Sequence, residues 1–103
     1  MIDKTAIIPT VLEKLKKLPI GHCIDLRTYK RNRSVVIVKK EEDEYLVIEN
    51  GYFQEEFVVG LSKLKKLLKT LLKKEFPRSN KIRLYNLGEY NKEQLAKTNW
   101  KKL

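Results

Sequence analysis

One cysteine, one histidine and one tryptophan in 103 residues leave little material for chemistry that depends on clusters of such groups. Cys23 has no partner for an internal disulfide. With His22 as the sole histidine, it cannot complete the usual cysteine and histidine shell of a zinc site within one protomer. There is also no second histidine to build a proton relay around the thiol, and the four glycines form no phosphate-cradling loop. Neighbours on a strand point to opposite faces, so Glu55 and Glu56 cannot pair as acid and base. A non-enzymatic protein without a cofactor or metal is therefore expected. Apolar runs are only a few residues long, and the N-terminus lacks the charged-then-apolar pattern of a secretion signal. Membrane spanning is not expected, and the cytoplasm is the expected compartment.

Acidic residues are the other shortage, 13 against 23 lysines and arginines, for a net charge of +10. The imbalance is localised. Residues 1–34 carry +5, residues 35–57 carry −5, and residues 58–103 carry +10. Within the last part, Lys63, Lys65, Lys66, Lys69, Lys73, Lys74, Arg78, Lys81 and Arg83 face a single acid, Glu75, before Leu84. One strongly cationic flank points to an anionic partner, nucleic acid or another polyanion. No proline-, glycine- or serine-rich linker and no internal repeat interrupts the chain. We expect one domain over residues 1–88, followed by a docked tail or short helix over 89–103.

The periodicities supply the elements. Thr10-Val11-Leu12-Glu13 fits a capping box, and Leu12, Leu15 and Leu18 recur at helical spacing until Pro19 and Gly21, which predicts a first helix from about Thr10 to Leu18. Asp3 to Ile8 reads as a preceding turn of helix, since Pro9 would kink a continuous one. From Cys23 the period becomes two, predicting strands over Cys23–Tyr29, Val35–Lys40, Glu44–Glu49 and Tyr52–Val58, with Asn50-Gly51 as a two-residue hairpin turn. Tight turns near Glu41-Glu42 and over Lys30 to Arg33 would place Ile24, Leu26, Val35, Ile37, Leu46, Ile48 and Phe53 on one face. A second helix, about Leu61 to Phe76, gathers Leu61, Leu64, Leu68, Leu71 and Leu72 on one stripe and Lys63, Lys66, Lys69 and Lys73 on the other. Pro77 ends it. Lys81 to Leu87 alternates as a fifth strand broken at Gly88, and Asn91 to Gln94 would cap a terminal helix bearing Leu95, Trp100 and Leu103. The fold expected is α+β, a mostly antiparallel meander of four to five strands with both main helices on one face.

The lysine stripe is the first candidate site. A row of lysines over about three helical turns can meet several phosphates at once, gaining affinity from counterion release. Arg78, Lys81 and Arg83 would extend it, and the hairpin tip with Lys30, Arg31 and Arg33 adds a second basic point whose arginines can fork onto phosphate. The alternative is a solvated helix face and an ordinary turn. The second candidate is the sheet face opposite the core, which the proposed register furnishes with Tyr29, Tyr45, Tyr52, Tyr85 and several valines beside Arg27 and Arg83. Such a face can stack unpaired bases, or it can be closed by the tail with Trp100, by a partner protein, or by a second copy in a homodimer.

Helix, antiparallel strands, then a helix opening Gly60-Leu61-Ser62-Lys63-Leu64-Lys65-Lys66 is similar in order to a double-stranded-RNA-binding domain. The lysines are more loosely spaced here, Leu67, Leu68, Leu71 and Leu72 stand where small residues belong, and an extra strand flanks the helix on each side. The likeness is one of element order. The function expected is binding of nucleic acid, structured RNA in particular, with a small protein-assembly subunit as the alternative.

Overall fold

Half-buried period-two segments need a second layer, and the two amphipathic helices supply it. The computed structural model describes residues 2–28, 33–51, 54–77 and 81–89. In chain order these form β1 (Ile2–Asp3), α1 (Lys4–Lys17), β2 (His22–Arg27), β3 (Ser34–Glu41), β4 (Glu44–Asn50), β5 (Gln54–Val59), α2 (Leu61–Glu75) and β6 (Lys81–Glu89). The class is α+β, as expected. The strands make one six-stranded antiparallel sheet in the order β1-β6-β2-β3-β4-β5, one strand more than the sequence suggested because Ile2 and Asp3 pair with Ile82 and Lys81. Both helices lie on one face, where Ile7, Val11 and Leu15 of α1 and Leu64, Leu68, Leu71 and Leu72 of α2 pack over Ile24, Leu26, Val35, Ile37, Tyr45, Val47 and Ile82.

The first helix departs from expectation. It runs unbroken from Lys4 through Pro9, and Thr10 is not its cap: the Thr10 hydroxyl donates to the Ala6 carbonyl at 2.7 Å, one turn back. Pro9 costs one backbone hydrogen bond, which packing of Ile7, Val11 and Leu15 outweighs. At the other end, the buried Lys39 of β3 donates its ammonium to the Leu15 carbonyl at 3.1 Å, placing a cation at the negative end of the helix.

The second departure concerns which face each strand residue occupies. Glu42 and Asp43 form the β3–β4 turn and Glu41 pairs with Glu44, a register that would put Ile37 opposite Ile48 if it ran on unbroken. A bulge between Lys39 and Glu41 absorbs one residue. Lys39 then pairs with Tyr45, Ile37 with Val47 and Val36 with Ile48. Because a one-residue slip exchanges faces, Tyr45 and Val47 turn toward the helices, while Leu46 and Ile48 join Cys23, Val36 and Val38 on the other side. The expected assignment of β2 and β3 holds, and that of β4 is reversed.

Two glycines also serve differently from expectation. Asn50 is still a strand residue, paired with Gln54, so the hairpin is longer than two residues and Gly51 does not adopt a left-handed φ. A side chain at Gly51 would instead collide with the Glu75 carboxylate. Gly88 does not end β6; with a φ of 78° it sits at a second bulge, where Cys23 pairs with Gly88 and Ile24 with Asn86. Phe53 and the expected terminal helix and tail lie outside the described residues, apart from Glu89 in β6.

The leucine face of α2 sets the orientation of its lysines. Truncating Leu68, 1% exposed, to alanine is expected to destabilise the protein by about 2 to 5 kcal/mol in urea unfolding. A midpoint equal to the parent's would contradict the packing.

Candidate nucleic-acid interface

Leucines at helical spacing turn one side of α2 into the core, so whatever lies between them faces water. Lys63, Lys65, Lys66, Lys69 and Lys73 are all exposed, and among the described residues none of them is in an ion pair. From Lys63 to Lys73 the row extends about 15 Å along the axis at 1.5 Å per residue. The helix is held at both ends by residues from elsewhere. Its N-cap, Gly60, has no side chain, and Asp43 in the β3–β4 turn accepts from the Leu61 N–H at 2.8 Å. Packing against the turn is close here, since a Cβ at Gly60 would sit 3.3 Å from the Asp43 carbonyl oxygen and would have to push it back by a few tenths of an ångström. At the C-terminus, Arg33 Nη1 donates to the Glu75 carbonyl at 2.9 Å and Lys4 Nζ to the Phe76 carbonyl at 2.7 Å. An anion at the start and two cations at the end complement the helix dipole.

Of the ten basic residues singled out from the sequence, Lys63, Lys66, Lys69 and Lys73 come together on this exposed face. Lys81 and Arg83 do not join them. Strand alternation places both on the sheet face opposite the helices, where Lys81 is paired with Asp3 at 2.8 Å and Arg83 stands across from Arg27. Arg33 is half-buried and occupied at the end of α2. Lys30, Arg31 and Arg78 lie outside the described residues. Sequence alone did not point to the last turn of α1, where Lys14, Lys16 and Lys17 are exposed on the same helical layer, only Lys17 being in an ion pair among the described residues, with Glu13 at 4.0 Å. Nor did it point to Lys4, because the turn of helix expected over Asp3 to Ile8 gave no sign that it would run on into α1 beside the end of α2.

The aromatic residues proposed for the far face separate in the same way. Tyr45 is 1% exposed and faces the helices, carried there by the bulge, so it offers no stacking surface. Tyr85 is half-buried on the far face, opposite Asp25 in the β2–β6 ladder. Tyr29, Tyr52 and Trp100 lie outside the described residues. The centre of that face is Cys23, Val36, Val38 and Ile48, all buried. Asp25 beside them accepts from Arg27 Nε through Oδ2, while Oδ1 has no hydrogen-bond partner among the described residues. Burial pushes the Asp25 carboxyl above its usual range against the pull of Arg27. Burial, with the Asp25 charge adding to it, pushes the Cys23 thiol up to about 11, which leaves it protonated and a poor nucleophile near neutral pH.

A second polar cluster sits beneath the C-terminus of α2. Glu49 of β4 and Glu75 are 1% and 0% exposed, with Lys74 Nζ 3.5 Å from Glu49 Oε2. With its carboxyl ionised, neither oxygen of Glu49 has a hydrogen-bond partner among the described residues; once protonated, Glu49 can donate to Glu75. Burial first, and the Glu75 contact next, push the Glu49 carboxyl up to about 7 despite Lys74. The sequence signal was Glu75 itself, a lone acid in a basic helix. No group of three or more histidine, cysteine, aspartate or glutamate residues able to hold a metal occurs among the described residues.

Comparison with protein-family models gives no match, and neither does comparison with curated proteins or with solved structures.

The Glu49 carboxyl makes stability depend on pH. Between its ordinary value of 4.5 and about 7 the folded protein holds a proton that the unfolded chain has released, so this contribution to stability is full below 4.5 and is lost as pH rises through 7. Glu49→Gln is expected to flatten the dependence over that window and, at pH 8, to stabilise relative to the parent by on the order of 2 kcal/mol. Equal pH dependence of parent and variant in chemical unfolding would contradict a buried Glu49 that holds its proton to near pH 7.

Proposed function

We propose that this protein binds nucleic acid, structured RNA in the first instance, without enzymatic action, through the outward face of α2. The observation that carries this reading is the row Lys63, Lys66, Lys69 and Lys73, exposed and free of ion pairs among the described residues, on a helix whose other face is committed to the core. Glutamates interleaved with these lysines would neutralise their field, as on an ordinary solvated helix, but the acid present, Glu75, is buried. Lys65 flanks the row, and Lys14, Lys16 and Lys17 of α1 enlarge the cationic layer. Such a surface meets phosphates by charge and positions the protein without reading sequence. A second reading, protein assembly, has one observation in its favour: β5 lies at the edge of the sheet, with Val58 60% exposed.

Changing Lys66 and Lys69 together to glutamine tests the charge reading, since glutamine retains length and helix propensity. RNA affinity is expected to fall across unrelated sequences, and the slope of log affinity against log salt to flatten by about 0.7 to 0.9 for each phosphate no longer neutralised. Unaltered affinity and slope in a variant with the parent's unfolding midpoint would reduce the lysine row to a solubilising surface.

A further inference from the structure

Where the basic face of α2 meets α1, the surface is neither flat nor purely polar. A groove of about 270 Å³ opens there, lined by Lys4, Ile8, Lys69, Thr70, Leu72 and Lys73. Two of the four lysines of the α2 row therefore form its rim, while the half-buried Ile8 and the buried Leu72 give it an apolar floor. Lys4 adds a third ammonium, held by its bond to the Phe76 carbonyl and with further N–H groups to donate. The Thr70 hydroxyl donates to the Lys66 carbonyl at 3.3 Å, which leaves its lone pairs free to accept from a ligand N–H.

We propose that this groove receives one unpaired nucleotide of the bound RNA, its base against Ile8 and Leu72 and its phosphates between Lys69, Lys73 and Lys4. The inference rests on the reading of α2 as a nucleic-acid surface and adds to it the kind of RNA preferred. Free phosphate uses the rim alone and leaves the apolar floor in water. A paired base is locked in the stack and presents only its edges, so a duplex uses the lysine row and bypasses the floor. A splayed-out nucleotide supplies both a flat apolar face and an adjacent phosphate, the combination that this groove offers. The volume suits one nucleotide, since it falls just below the usual range for drug-sized ligands. No aromatic ring is among the described lining residues, so discrimination between bases is expected to be weak.

The test compares a hairpin RNA carrying an unpaired loop with a blunt duplex of equal length, for the parent and for Thr70→Met, which fills the groove without changing charge and lies at an exposed helix position. The parent is expected to bind the hairpin more tightly. Thr70→Met should weaken hairpin binding by roughly tenfold, the scale of removing one base from its seat, and leave duplex binding unchanged. A photoreactive 4-thiouridine in the loop should crosslink to the α1 and α2 peptides containing Ile8 and Thr70. Equal binding of hairpin and duplex by the parent, equal losses on both RNAs in the variant, or crosslinks elsewhere would overturn the groove while leaving the basic face standing. A parent that binds neither RNA at low salt would overturn both.

Discussion

One-sided burial of α2 is the constraint on which the rest of the molecule depends. Leu64, Leu68, Leu71 and Leu72 each contribute roughly 1.5 to 3 kcal/mol by leaving water, far more than any surface lysine gains from a single neighbour. With that stripe fixed on the sheet, the helix cannot rotate, and its lysines have no direction but outward. The ends are pinned by charge: Asp43 at the start, Arg33 and Lys4 at the finish. These three come from a turn, a strand approach and the other helix, so the bonds that orient the basic row also tie together segments distant in sequence. Two candidate ligands of phosphate, Arg33 and Lys4, are thereby engaged in structure, Lys4 in a way that also fixes it at the groove.

A single extra residue decides the character of the sheet's two faces. The bulge beside Lys40 turns Tyr45 and Val47 inward and Leu46 and Ile48 outward, so what would have been a tyrosine and valine platform becomes a mixed apolar patch around Cys23. The same shift sends Glu49 inward to meet Glu75, and Gly51 leaves room for that carboxylate. Burial of the Glu49 carboxyl costs stability when it is charged, and Glu75 beside it adds to that cost, which is why the Glu49 carboxyl rises. Lys39, also on the inner side, is satisfied by carbonyls at the end of α1.

The sequence was most legible where one signal acted alone. The period-two segments and the leucine and lysine spacing of α2 placed five strands and a helix within a few residues of their observed limits, because nothing in the tertiary structure opposed them. It was least legible where two local rules competed. Pro9 and the Thr10–Glu13 capping pattern argue for a late helix start, yet the core packing of Ile7 and the pairing of Ile2 and Asp3 with β6 favour an early one. Asn50-Gly51 resembles a tight turn, whereas the glycine is required by a carboxylate 24 positions away in sequence. At the site, the four lysines on α2 could be read from spacing. Alternation along Lys81 to Leu87 set Arg83 on the face opposite the core, as observed, but that this separates Lys81 and Arg83 from the lysine row needed the pairing of β6 with β2 and β1, and the groove needed the position of α1.

If α2 is the binding surface, nucleic acid meets the helical layer and not the far face of the sheet. Mapping amide chemical shifts during titration with a hairpin RNA separates the two directly, because Lys63 to Lys73 and Lys81 to Tyr85 belong to different layers of the molecule. Binding through the lysine row predicts the largest changes over α2 and the adjoining turns of α1. Changes centred on Arg83, Tyr85 and Arg27, with α2 silent, would contradict it.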